Sequence, residues 1–368
     1  MKKSLSIAAA LVCALAGCSN IGPDALRETR PLYNEAVQQT NDEELLTNLV
    51  RIHYRDTLYF TTVERIAVAR EFNQSLGATG SVTSTRNSAA TSTTSALSRV
   101  LSLGPGSVAV NEKPTIFYAP LEGEKFVRQM MTPMNPQILL LQVKSGWSLD
   151  RVFSVGIQEM NGLLNAPTAA GPQPSRAPEY ADFREAVKLL RGMQRENKLL
   201  IGRNTGEDKI VLQFVRNSGQ EPDALRFKAL LNLDPAQDKF YVVSAVEQPN
   251  KNTIAVITRP LISAMHYLAE GVESPERDIK AGKVRLTTTD GDQPFDWQDL
   301  LGGIFRVRSS DSQPSDASVA VNYRGTWFYI SDDDLDSKST FVLLTQLIQL
   351  HSTTAPPGPG LSFSFGTG

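Results

Sequence analysis

The chain has 368 residues, 37 Lys and Arg against 39 Asp and Glu, a formal net charge of −2, and two cysteines. This near-neutral balance gives no electrostatic footprint for nucleic acid, and none is expected among its partners. Two cysteines exclude a disulfide-stapled scaffold, and the length exceeds what one hydrophobic core usually organises, so two or three packed units are expected.

The chain opens on Lys2 and Lys3, continues with an apolar stretch from Leu5 to Leu15, and reaches Ala16-Gly17-Cys18. A basic start, an apolar run of roughly 7–15 residues and a small-residue cut site describe a secretory leader. A spanning helix needs about 20 apolar residues, and this run is too short. The cut site reads Leu15-Ala16-Gly17-Cys18 in place of A-x-A, and it resembles the lipobox of bacterial lipoproteins. The resemblance implies that the Cys18 thiol carries a diacylglycerol, that the leader 1–17 is removed, and that the freed amine is acylated. One acyl chain binds a bilayer only marginally, at about 0.8 kcal/mol per buried CH2, whereas two or more hold stably. Cys13 would leave with the leader, and the loss of Lys2 and Lys3 would bring the net charge to −4. Ser19 follows the lipobox; in enterobacterial lipoproteins the absence of Asp there favours the outer membrane. The alternative is an ordinary cleaved signal with an incidental cysteine.

After an acylated N-terminus and tether, 18–31, the periodicity predicts a helix over 32–52, with Thr40 and Glu43 at capping-box spacing. Further helices are expected over 120–131, 179–197 and 260–272, the last with Pro260 in its first turn. Residues 209–215, 240–246, 253–258 and 303–308 read as strands. Residues 317–330 read as a hairpin turning at Arg324-Gly325, with Val319, Val321 and Tyr323 on one face. The expected class is α+β, with antiparallel sheets and packed helices. Its units are 32–165, which holds a Ser/Thr-rich hairpin at 62–112, and 179–354. The proline-rich loop 166–178 separates them, and a Pro/Gly-rich tail, 355–368, follows.

That hairpin is the most unusual region. From Ile66 to Ala78 alternate residues are mostly apolar, with small or polar residues between them, and eleven of the seventeen residues in 79–95 are Ser or Thr. One explanation packs its apolar side on the core. The other has several subunits donate hairpins to a shared outer-membrane barrel, by analogy with pore-forming lipoproteins. Transmembrane strands need about 9–11 alternating residues, and a lipid-facing Arg such as Arg70 costs roughly 2–4 kcal/mol near the midplane.

No catalytic template is present: no G-x-S-x-G, H-E-x-x-H, Walker A or G-x-G-x-x-G motif. The histidines are His53, His266 and His351. Ser263 and His266 stand three apart on a predicted helix, but triad geometry cannot be read from spacing. His351 ends a helix, where a cation suits the carbonyl dipole. Glu122 and Glu124 flank Gly123, placed by periodicity in a first helical turn. Asp332, Asp334 and Asp336 match the first spacings of a calcium loop, yet Ser337 replaces its Gly and Leu343 its terminal Glu, so helix capping explains them better. "RIHYRDTLYF" (51–60) mixes aromatic and basic groups able to bind a glycan or phosphate, or equally to form a half-buried strand entry. No metal or cofactor site is expected, and no catalytic residue is assigned.

Four segments, "NDEELLTNLVRIHYRD" (41–56), "KPTIFYAPLEGEKFVRQMMTP" (113–133), "SGWSLDRVFSVGIQEMNGLLNAP" (145–167) and "VNYRGTWFYISDDDLDSKSTFVLLTQLIQL" (321–350), resemble uncharacterised proteobacterial outer-membrane lipoproteins. The resemblance implies an anchor and carries no activity. The resulting expectation is a lipid-anchored, periplasm-facing outer-membrane protein, held in the bilayer through Cys18. It would act as a non-catalytic interaction or assembly module on an envelope protein partner, with a homo-oligomer allowed. The alternatives are a pore or secretion-channel subunit and a hydrolase with an unfamiliar site.

Overall fold

The computed structural model describes residues 21–75, 97–102, 107–171, 176–204, 209–244 and 250–351. Cys18, the Ser/Thr-rich run 79–95 and the tail 355–368 lie outside these described residues. The fold is α+β. Backbone contacts divide the chain into two units, a body of Met1–Leu58 with Pro133–Thr345 and a second unit of Tyr59–Thr132 with Gln346–Gly368.

The chain enters the body on α1 (Ile21–Tyr54), a helix of 34 residues. It is helical from Ile21, through the region read as a tether. At 1.5 Å per residue it is about 51 Å long. None of its described side chains before Leu45 is buried, whereas Leu45, Leu46, Leu49, Val50 and Ile52 fall at helical spacing and are buried. The capping box expected at Thr40 is absent because the helix begins well upstream. Thr40 sits mid-helix and donates its hydroxyl to the Ala36 and Val37 carbonyls, 2.9 and 3.1 Å away.

The second unit follows. Strands β1 (Thr61–Ser75), β2 (Leu97–Ser102) and β3 (Ser107–Pro120) form a three-stranded sheet of order β1-β3-β2, both pairs antiparallel. One register shift, between Val63 and Arg65, marks a bulge, and from Arg65 to Ser75 the pairing is unbroken. Helix α2 (Glu124–Met131) begins after Gly123, whose φ of 92° suits glycine, so Glu122 precedes the helix instead of lying in its first turn.

Back in the body, α3 (Pro136–Lys144) is capped by Asn135, which accepts from the Gln137 N–H at 2.9 Å. Helix α4 (Leu149–Gly156) runs directly into β4 (Ile157–Met160) and β5 (Leu163–Leu164). Helix α5 (Ala181–Arg195) buries Phe183, Ala186, Val187, Leu190 and Met193 along one stripe. Then come β6 (Leu199–Asn204), β7 (Lys209–Phe214), α6 (Pro222–Leu230), β8 (Lys239–Ser244) and β9 (Thr253–Thr258). These strands make a six-stranded sheet of order β5-β4-β9-β8-β7-β6, antiparallel except for the parallel pair β8–β9. The sheet draws strands from both sides of residues 166–178.

Helix α7 (Leu261–Ala269) is buried at six of its nine positions, with Pro260 just ahead of it. Short helices α8 (Glu276–Lys280) and α9 (Gln298–Leu301) lead to β10 (Arg308–Ser310), β11 (Ala317–Tyr323) and β12 (Thr326–Ser331), a sheet of order β10-β12-β11. The hairpin turns at Arg324 and Gly325, with φ of 51° and 77°, the positive pair that matches strand twist. The strand expected over 303–308 is largely absent. Phe305 is buried in a loop, and Val307 makes an isolated bridge to Val272 before β10 starts. Helix α10 (Leu335–His351) follows β12.

One buried cation organises the body. Arg259, between β9 and α7, is fully buried and stacks 4.0 Å over the Tyr267 ring. Its guanidinium donates to the carbonyls of Ser154, at 2.6 Å, of Ile157, at 3.2 Å, and of Asn165. Those carbonyls lie at the C-terminal end of α4 and just beyond it, where the helix dipole favours positive charge. Burial pushes the Arg259 pKa down to about 10, still far above neutrality.

Candidate functional site

The "RIHYRDTLYF" segment gives its first four residues to the end of α1, turns at Arg55 with a φ of 61° and forms no strand before Thr61, and its residues 53–56 take part in a polar cluster of the body. His53 Nε2 lies 2.7 Å from Ser274 Oγ, and the ring also hydrogen-bonds the backbone of Ala269. Nε2 and the Ser274 hydroxyl share one hydrogen bond, whose donor is set by the imidazole tautomer. Burial pushes the imidazole down to about 4, so it is neutral at neutral pH. Beside Ala269, burial pushes the Glu270 carboxyl up to about 8, against a smaller opposing pull from Arg55.

The rest of the segment is tied into ion pairs. Tyr54 donates to Asp278 at 2.7 Å, and Lys283 approaches the same carboxylate at 3.0 Å. Burial alone would raise the Asp278 pKa, but these donors outweigh it and hold the carboxyl below the usual range. Asp56 accepts from Tyr323 and from Arg324, the latter at 2.7 Å, and the Arg324 guanidinium lies 4.8 Å over the Tyr54 ring. Of the groups suggested for glycan or phosphate binding, Tyr54 and Asp56 are thereby engaged and Arg51 donates to Asn48 at 3.1 Å, while Arg55 is exposed. The His53–Ser274 pair has the contact of a nucleophile and its base, but it lacks an ionised acid as orienter, and a base of pKa about 4 is poorly matched to neutral-pH proton transfer. A groove of about 440 Å3 is lined by Tyr180, Arg184, Glu185, Lys188 and Asp223, and none of the His53 cluster reaches it.

The other candidates are held apart. Ser263 and His266 lie on α7 without a hydrogen bond between them, and burial lowers the His266 pKa. Glu124 pairs with Arg128 one turn on. Asp334 caps α10, accepting from the Ser337 N–H at 3.0 Å and its hydroxyl at 2.8 Å. Asp332 pairs with Lys338, and Asp336 with Arg151. No metal-holding cluster of His, Cys, Asp or Glu occurs among the described residues. The His351 side chain and Cys18 are outside them. Sequence reasoning missed Ser274, Glu270, Arg259 and the buried Lys228, whose Nζ donates to Gly219 and Pro235 carbonyls at 2.6 and 3.0 Å. Ser274 and Arg259 take their meaning from partners distant in sequence, and Lys228 from the loops that flank its helix.

The second unit offers surface in place of chemistry. The register pairs Ile66 with Ile116, Val68 with Pro114, Arg70 with Glu112, Phe72 with Val110 and Gln74 with Val108, all on one face by strand alternation. The opposite face carries Arg65 with Phe117, Ala67 with Thr115, Ala69 with Lys113 and Glu71 with Asn111. Arg65 lies 4.3 Å over the Phe117 ring. None of residues 61–68 or 114–120 is buried, and Val68, Ile116, Phe117 and Tyr118 are exposed. No helix among the described residues is long and apolar enough to cross a membrane. Comparison of the chain with protein-family models, with curated proteins and with solved structures gives no match.

Proposed function

We propose that the protein is an outer-membrane lipoprotein, acylated at Cys18 and facing the periplasm, that works as a non-catalytic assembly module. Its contact element is the β1–β3 ribbon. The observation that carries this reading is the contrast between the two units: in the ribbon none of residues 61–68 or 114–120 is buried, while in the body His53, Tyr54 and Asp56 are each engaged by side chains distant in sequence. Val68, Ile116 and Tyr118 lie exposed together on the ribbon, and neighbouring exposed apolar side chains are a feature of interaction sites. The test pairs fractionation with an assay. Wild-type protein is expected in the outer membrane with its leader removed, and Cys18→Ser is expected to keep the leader and to be missing from the outer membrane; no turnover of peptidoglycan, lipid or glycan by the soluble domain is expected. An unmodified mature terminus, or turnover lost in Ser274→Ala, would overturn it.

The pore reading draws on strands of 15 and 14 residues, above the roughly 9–11 needed, and on Arg70 standing opposite Glu112. Strand order counts against it. Both β1 and β2 run antiparallel to β3, so a ring of copies in one orientation would join β2 to the next β1 in parallel, whereas transmembrane barrels are antiparallel.

A further inference from the structure

Resting on the ribbon as contact element, we infer that two copies of this chain join antiparallel through the outer edges of β1, about a two-fold axis at Val68. They would form one sheet of order β2-β3-β1-β1′-β3′-β2′. Among the described residues β1 has a ladder partner on one side only, β3. Its other side presents a row of backbone donors and acceptors, which is a template for another strand. Past the bulge, Arg65–Ser75 is regular and long enough to serve as one.

The side chains choose the partner. Arg65 stands three residues before Val68, and Glu71 three after it. Antiparallel pairing about Val68 therefore sets Arg65 of each copy opposite Glu71 of the other, with Ala67 opposite Ala69, Ile66 opposite Arg70 and Val68 opposite itself. In-register parallel pairing stacks Arg65 on Arg65 and Glu71 on Glu71, which repels. A two-fold axis between Ala67 and Val68 opposes Arg65 to Arg70 and Glu64 to Glu71, again like on like. An axis at Ala67 depends on Glu64, which occupies the bulge. Charges that merely guard an edge need no such mirror order. Opposed residues share a face, so the apolar side continues across the axis from Ile66 and Val68 of one copy to those of the other. The two-fold operation closes on itself and stops at a dimer.

Val68→Cys in the full-length chain, expressed in its native envelope under mild oxidation, tests the inference. Directly opposed antiparallel residues have Cα atoms about 4.5–5.5 Å apart, within the range a disulfide spans. A cross-linked dimer is expected from Val68→Cys and not from Thr115→Cys on the central strand. Arg65→Glu or Glu71→Arg in that background should cut the cross-linked fraction about tenfold, and the double exchange Arg65→Glu with Glu71→Arg should restore it. Circular dichroism of each variant shows whether the body stays folded, and the restoring double variant distinguishes charge from misfolding. Two outcomes overturn the dimer: no cross-link at Val68, or cross-linking only after removal of 352–368, which would place the chain's own tail on this edge. A photocross-linker at Ile116 separates the two readings. If it captures a different envelope protein while Val68→Cys stays monomeric, only the dimer fails; if it captures nothing, both fail.

Discussion

The body and the ribbon contain the same tripeptide in a strand. In β9, Ile254, Ala255 and Val256 are 2, 5 and 4 % exposed. In β1, Ile66, Ala67 and Val68 are not buried, and Val68 is 39 % exposed. Strand β9 lies between β4 and β8, whereas β1 has a partner on one side among the described residues. The same apolar residues therefore stabilise the interior in one unit and remain available for association in the other. The body spends its polar groups in the same inward fashion: Arg259, Lys228, Asp278 and His53 all have partners far along the chain or on backbone carbonyls.

The hardest way to break this contrast is Arg259→Ala, which strips three carbonyls of their donor and leaves a cavity beside Tyr267. It should cost roughly 3–5 kcal/mol of body stability in urea unfolding. Tyr54→Phe removes one donor from buried Asp278, and a loss of about 1–3 kcal/mol is expected from the same measurement.

Two half-buried groups predict how stability tracks pH. His53 is lowered from 6.5 to about 4, so between those values the unfolded chain binds a proton that the folded chain refuses, and stability falls as pH falls. Glu270 is raised from 4.5 to about 8, so the folded chain holds a proton that the unfolded chain has released, and stability falls as pH rises through that window. The two slopes oppose each other between 4.5 and 6.5, leaving Glu270 dominant from 6.5 to 8 and His53 below 4.5. Glu270→Gln should flatten the alkaline decline in thermal melts, and His53→Gln the acid one. An alkaline decline unchanged in Glu270→Gln would show that the carboxyl is solvated.

The smallest effect belongs to the ribbon. Ile116→Ser should move body unfolding by less than about 0.5 kcal/mol, as for other exposed sites. A larger shift would mean that the ribbon face is covered within one chain.

Local chemistry was legible where it acts locally. The Arg324-Gly325 turn, the alternation of Val319 and Val321, the stripe on α5 and the Asp334 cap of α10 depend on residues within a few positions of one another. The upstream start of α1 was missed because its first half is exposed and shows no apolar stripe. The loop holding Phe305 and Val307 was read as a strand because burial, not pairing, accounts for its apolar residues. Glu270 and Arg259 were missed because their environment is made by distant segments and leaves no local signal.

Ser-Val-Ala-Val-Asn occurs twice, at 107–111 in β3 and at 318–322 in β11, and is strand both times. Backbone preference and alternation are properties of the pentapeptide, so the sequence alone determines that it extends. What the strand packs against, whether its edge is paired and which charges it neutralises depend on residues brought together across the chain. Tertiary structure decided those, because burial is a property of neighbours and not of the residue buried.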